Sequence, residues 1–265
     1  MHNKLLELSM NNLADEDGDI LHIPHGDMPG DKINIEKSHI EKAKVIFPEL
    51  IKKVKECATT NSKVVITVCG GSGVGKSEIA SLLAHYFENM GVGCYTLSGD
   101  NYPHRIPVYN DAERLRIFRE SAIRGMITDG EYSFERFNII HQYQLENKDS
   151  EPKNIVKYPW YESYIRNGAM GLQGYLGTEK EINFFEIQNI VKEFKSGAEK
   201  IWLKRMGRED TELWYEEVDF SEKDILIIEW THGNSKNYTG VDIPVLLNST
   251  PKETTPKAET ESRTR

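Results

Sequence analysis

Residues Val64-Val65-Ile66-Thr67-Val68-Cys69 run apolar and β-branched into Gly70-Gly71-Ser72-Gly73-Val74-Gly75-Lys76-Ser77, and a helical pattern begins at once. No other stretch narrows the fold of this chain as far. The turn fills each fixed position of G-x-x-x-x-G-K-[ST], with Gly70, Gly75, Lys76 and Ser77 in place. Glycines free such a backbone to wrap a polyphosphate with its N–H groups aimed inward, and the helix N-terminus behind it adds favourable dipole charge. A lysine at position 76 reaches the β- and γ-phosphates, and a hydroxyl at position 77 holds Mg²⁺.

The flanking pattern argues against a chance match. Residues 64–69 read as a strand buried on both faces, as a central parallel strand requires. After Ser77, residues Ile79, Leu82, Leu83, Tyr86, Phe87 and Met90 recur at helical spacing, and Gly91 stands where a C-terminal cap belongs. Strand, glycine-rich turn and helix together predict an α/β P-loop NTPase fold, doubly wound, with a mainly parallel sheet and helices on both faces. The nucleotide contacts expected are Gly70, Gly71, Ser72, Gly73, Val74, Gly75, Lys76, Ser77 and Glu78, and the cofactors are ATP and Mg²⁺.

With 265 residues, the chain has room for one sizeable core with embellishments. A net charge of −9 opposes general affinity for nucleic acid or a membrane surface, which needs a basic balance. It leaves an anionic ligand open, because a P-loop makes its own positive pocket. Cys57, Cys69 and Cys94 have neither metal nor redox spacing and read as small apolar residues in a reducing cytosol. No apolar run approaches membrane-spanning length and no signal pattern opens the chain, so the expected location is cytoplasmic.

Residues 1–35 read as an irregular segment, with the acidic run Asp15–Asp19 as a solvated turn rather than a calcium loop, and Pro29-Gly30 as a turn. His22 and His25 lack a third ligand nearby. A P-loop domain is expected over 36–247. It opens with an amphipathic helix from about Lys37 to Ala58, kinked or divided at Pro48. A second strand, 93–98, delivers Gly99-Asp100-Asn101-Tyr102-Pro103-His104-Arg105 to a carboxyl end, where open α/β sheets bind ligands. Helices follow over 111–128 and 133–146. The first buries Leu115, Phe118, Ala122 and Met126 and turns Arg114, Arg116, Arg119 and Arg124 to solvent; the second turns Phe134, Phe137, Ile140 and His141 inward. Residues 153–177, rich in aromatics and glycines, read as an insertion beside the pocket whose aromatics are either core or substrate enclosure.

Thr178 with Glu181, or Asn183 with Glu186, starts the next helix, and Gly197 stops it. Ile201-Trp202-Leu203 is a short strand leading into Lys204-Arg205-Met206-Gly207-Arg208. Asp224-Ile225-Leu226-Ile227-Ile228-Glu229 is a buried strand ending in a carboxylate, the usual companion of a P-loop, which places an acid near Mg²⁺ or its waters. Residues 241–247 form a further strand that Pro244 marks as an edge, and 248–265 read as a disordered tail.

These blocks resemble the uridine kinase, phosphoribulokinase and pantothenate kinase group of small-molecule kinases over roughly residues 63–247. The likeness rests on Gly70–Ser77, on Ser98-Gly99-Asp100 with His104-Arg105, and on Ile225–Glu229. In that group the aspartate after the second strand contacts the acceptor hydroxyl and can act as base, which assigns this role to Asp100. A Glu-Gly pair usually ends the next core strand; here Trp230 stands in place of the glycine. Adenylylsulfate kinases share the P-loop and sheet and are the nearest competing kinase type. The group also carries an arginine-bearing lid after the strand matching 241–247, and of 265 residues only 14 follow Pro251. The resemblance therefore implies either a different closure, through Arg205, Arg208 or 158–177, or slow transfer with much ATP lost to hydrolysis.

The reaction expected is transfer of the γ-phosphoryl of ATP to a hydroxyl of a small metabolite, such as a nucleoside or a sugar phosphate. Lys76, Asp100 and Glu229 are the catalytic candidates, with Ser77 and Glu229 at the metal. Tyr102, His104, Arg105, Arg205 and Arg208 are the candidates for holding the acceptor. The partner is a small hydroxyl-bearing molecule, with neither nucleic acid nor membrane, and a homodimer is left open. A regulatory GTPase would need N-K-x-D after a strand, which Asn248-Ser249-Thr250-Pro251 does not supply. A nucleotide-binding protein without transfer activity is the remaining alternative.

Overall fold

The computed structural model describes residues 4–9, 23 and 26–248. The acidic run 15–19, His22, His25 and the tail from residue 249 onward lie outside the described residues. Two compact units emerge: one from the chain up to Tyr102 together with the chain from Phe184 onward, the other from Pro103–Asn183.

The first unit is the P-loop α/β fold that the strand, turn and helix pattern calls for. Its elements are α1 (Lys37–Ala58), β1 (Val64–Gly70), α2 (Lys76–Asn89), β2 (Cys94–Ser98), α7 (Phe184–Lys195), β3 (Lys200–Met206), β4 (Leu213–Asp219), β5 (Ile225–Glu229) and β6 (Ile243–Leu247). Four strands pair in the order β2-β5-β1-β6, all parallel. β1 and β5 are buried along their whole length, which is why both read as continuous apolar runs. β6 lies at the edge, where the missing N–H of Pro244 costs the sheet least.

One sheet face, with Val64, Ile66, Val68, Ile225 and Ile227, packs against α1 and α2 through Phe47, Leu50, Val54, Ile79, Leu83 and Phe87. Phe47 sits edge-on to both Tyr86 and Phe87 at 5.1 and 4.9 Å. α1 runs unbroken through Pro48, so of the two expected outcomes the division into two helices does not occur. α7 starts directly after Asn183, so the second of the two expected starts is used, and Glu181 instead belongs to a turn. Lys195 on α7 pairs with Asp242 at 2.6 Å, and Asp242 also accepts from the Val65 N–H at 2.8 Å.

The expected short strand at 201–203 extends from Lys200 to Met206 and pairs antiparallel with β4, which the sequence reading did not find. Its signal is weak because β4 is exposed along nearly its whole length and carries no buried face to set an alternation.

The second unit contains α3 (Pro107–Thr128), α4 (Phe134–Leu145), α5 (Asn154–Lys157) and α6 (Tyr161–Gln173). The 153–177 segment is therefore mostly helical, and Tyr161 and Tyr164 join Phe118, Ala122, Met126 and Ile140 in the core of this unit. Two of its glycines serve helix packing: a Cβ at Gly168 would stand 2.6 Å from Phe118, and one at Gly171 2.0 Å from Ser121. Two expectations on α3 and α4 are corrected. Arg114 and Arg119 are not a solvated face, because they pair with the buried carboxylates Glu181 and Asp149 at 2.6 and 2.8 Å. Phe134 and His141 point to solvent, and Ile140 alone of the four expected inward residues is fully buried.

Candidate active site

Parallel register assembles the site. β1 pairs Val68 with Glu229, and β2 pairs Ser98 with Glu229, so the carboxyl ends of three neighbouring strands finish at one level. The P-loop leaves β1 at that level, Glu229 ends β5 there, and Asp100 follows β2 in a tight turn over Gly99–Asn101. Gly75 takes φ of +87° to turn the loop into α2, a conformation that L side chains rarely adopt. Lys76 opens the helix and folds its ammonium back onto the Gly71 carbonyl at 2.9 Å. Glu78 lies in the first helical turn.

Ser77 donates its hydroxyl to Glu229, so two of the residues expected at the metal touch each other. Glu229 is 6 % exposed. Its pKa is pushed up to about 7, first by burial and then by the neighbouring Asp100 charge, while Lys76 and Ser77 pull the other way. Asp100 keeps solvent access, yet the protein around its carboxyl also raises its pKa by desolvation. Lys76, His232 and a hydrogen bond from Trp230 act against that rise, and Asp31 adds to it.

Trp230 explains why the chain departs from a Glu-Gly ending. It is buried, and its ring covers Gly99 so closely that a Cβ there would stand 2.0 Å from the indole. From this seat the indole N–H donates to Asp100. Gly99 and Trp230 thus act as a matched pair, the absent side chain of one making room for the ring of the other. The sequence marks Trp230 only as a departure, and nothing local in it signals the hydrogen bond.

The acceptor candidates separate. Tyr102 is wholly buried, and its hydroxyl has no hydrogen-bond partner among the described residues, so it is a core side chain in this unit. Arg205 is also buried and is held by Asp27 at 2.8 Å, Glu216 at 3.1 Å and the Tyr95 hydroxyl at 2.9 Å. Its place is in the frame behind the site, because its guanidinium already faces carboxylates. Arg208 lies exposed just beyond β3. His104 and Arg105 belong to the second unit. There His104 bonds the Glu179 carbonyl at 3.0 Å, and Arg105 meets the Tyr175 hydroxyl at 3.2 Å on the wall of a cavity of about 330 Å³.

Hard oxygen ligands and two mutually repelling carboxylates beside Lys76 suit a divalent cation held mainly by phosphate oxygens and water. Among the described residues no group of three or more His, Cys, Asp or Glu could hold a metal without such help. No described helix is long and apolar enough to cross a membrane.

The raised pKa of Glu229 fixes a sign for stability. Between the ordinary glutamate value of 4.5 and about 7, the folded chain retains a proton that the unfolded chain has lost. Stability should therefore fall as pH rises through that window, and Glu229→Gln should remove that part of the slope. Without nucleotide or Mg²⁺, urea melts should place the variant about 1 to 3 kcal/mol above the parent at pH 8 and level with it near pH 4.5. Parallel pH profiles for the two proteins would contradict the assigned environment. A second variant isolates the indole: Trp230→Phe keeps a ring over Gly99 and loses the N–H to Asp100. ATP turnover with acceptor should fall about tenfold with the melting temperature nearly kept. Unchanged turnover would show that the hydrogen bond is idle.

Two comparisons bear on this geometry. The Zeta toxin family matches residues 48–124, from the middle of α1 through the P-loop and Asp100 into α3. The chain is also 40 % identical over 207 residues to the bifunctional alpha-galactosidase/sucrose kinase AgaSK of Mediterraneibacter gnavus. That match covers 77 % of this chain and 17 % of the relative, so the chain spans about one-sixth of the curated relative it matches. Both findings support a P-loop kinase. Neither is a match to the uridine kinase, phosphoribulokinase and pantothenate kinase group.

Proposed function

We propose that this chain is an ATP-dependent kinase that phosphorylates a hydroxyl of a neutral sugar, with sucrose or a closely similar oligosaccharide as acceptor. The observation that carries the reading is the 40 % identity, over 77 % of this chain, to a protein described as having a sucrose kinase activity. The site supports it in two ways. The P-loop, Asp100 and Glu229 supply the parts that phosphoryl transfer to an alcohol requires. Arg205, one of the cations that could have held an acceptor phosphate, is instead paired with Asp27 and Glu216, as suits an uncharged acceptor.

In this reading the P-loop N–H groups and Lys76 hold the β- and γ-phosphates and meet the charge that develops during transfer. Ser77 and Glu229 would hold Mg²⁺, which when bound would offset the negative charge of the phosphates. Asp100 accepts a hydrogen bond from the acceptor hydroxyl and takes its proton as the oxygen attacks phosphorus. Trp230 keeps that carboxylate aimed, and the Lys76 charge favours its ionised form against the burial that opposes it.

Sucrose-dependent ADP release, with a phosphosugar seen by mass, tests the reading. Asp100→Asn should lower kcat by about a hundredfold or more with ATP affinity nearly unchanged, because the acid acts on the acceptor. Glu229→Gln should instead raise the Mg²⁺ concentration needed for half-maximal rate. A parent that releases ADP equally with and without sugar, or an Asp100→Asn variant that loses ATP binding and keeps turnover, would overturn it.

A further inference from the structure

The segment ahead of the P-loop fold reads in sequence as an irregular, polar lead. In the structure its described part and the first turn of α1 behind it touch both halves of the candidate site. Asp27 is the first contact. Its carboxylate accepts from the Ser98 N–H at 2.7 Å, the Tyr95 hydroxyl at 3.0 Å, the Asn101 amide at 3.1 Å and Arg205 at 2.8 Å. Its side chain is 8 % exposed. Ser98 and Asn101 bracket Gly99-Asp100, so one buried carboxylate grips both ends of the turn that presents the acceptor-side acid. Asn101 passes the grip onward by accepting from the Met206 N–H at 3.0 Å.

His39 is the second contact. Its Nδ1 accepts from the Glu36 N–H at 3.1 Å, which leaves the proton of the neutral ring on Nε2. The ring is buried, and its Cδ2 and Nε2 would each lie 3.0 Å from a Cβ on Gly75. An imidazole of fixed orientation therefore backs the loop residue whose φ of +87° turns the P-loop into α2.

We propose that residues 26–39 are a positioning element of the kinase, in which Asp27 sets the Asp100 turn and His39 sets the P-loop. The proposal rests on the kinase reading above and adds a division of labour to it. Loss of Asp27 acts on transfer, and loss of His39 acts on nucleotide affinity. A segment that only added stability would move both together.

The test uses the full chain, with sucrose-dependent turnover, calorimetric titration with ATP and Mg²⁺, and melting temperature read on each variant. Asp27→Asn leaves Arg205 short of an anion, so Asn101→Ala, which cuts the same link without that cost, is its companion. Both should lower kcat about tenfold or more while the Kd for ATP stays within about twofold. His39→Ala should raise the Kd for ATP about tenfold with kcat at saturating ATP within about threefold, and His39→Gln, which keeps an N–H donor, should recover part of the loss. Variants that shift only the melting temperature, or that lose kcat and ATP affinity in the same proportion, would overturn the proposal. If the parent binds ATP and phosphorylates no sugar, the function reading fails on its own. The proposal is then judged on ATP binding, where an unchanged Kd in His39→Ala overturns it.

Discussion

The site depends on one constraint, the parallel pairing of β1, β5 and β2 in a register that ends three strands at the same level. That pairing brings Glu229 up to Lys76 and Asp100, both of which lie more than a hundred residues before it in the chain. It also sets two carboxyl groups side by side in a partly dry place, which neither would choose alone. Burial raises both pKa values, the Asp100 charge adds to the rise at Glu229 and Asp31 adds to both, and the ammonium of Lys76 is the main force against them. The sheet can hold this unfavourable group because its own burial is extensive: β1 and β5 are covered along their whole length, with α1 and α2 packed on one face. The fold thus holds, at the carboxyl edge of the sheet, a local cost that a divalent cation would relieve.

Much of this was legible because the determining signals are local. The glycine-rich turn, the buried runs at 64–69 and 225–229 and the proline in the last strand each report a backbone requirement that neighbouring residues cannot hide. The same holds for Asp100, which follows a readable strand by two residues. What escaped depends on distant partners. Arg205 reads as a free cation beside a loop, and it is the contact with Asp27, far upstream in sequence, that makes it part of the frame. Arg114 and Arg119 look like a solvated stripe until Glu181 and Asp149 are seen buried beneath them. β4 was missed because both its faces are wet. Phe134 and His141 were turned inward by a periodic pattern that the short helix α4 does not obey.

The segment 153–177 shows how composition misleads without topology. Aromatics mixed with glycines suggested a loop folded over a pocket. The structure instead uses tyrosines for a helical core and glycines to let α3 and α6 approach. Trp230 is the converse case. It stands where a glycine was expected after Glu229, and its ring fits because Gly99 is bare beneath it. A substitution that looks disruptive in sequence becomes a source of hydrogen bonding to the acid beside it.

The central claim is that this site moves a phosphoryl group from ATP to a sugar hydroxyl. Phosphorus NMR of the protein with ATP, Mg²⁺ and sucrose follows that group directly. The account predicts that the γ-phosphate signal is replaced by ADP and a phosphate monoester whose resonance is split by the sugar proton or protons on the esterified carbon. Growth of inorganic phosphate alone, at a rate indifferent to sucrose, would contradict it.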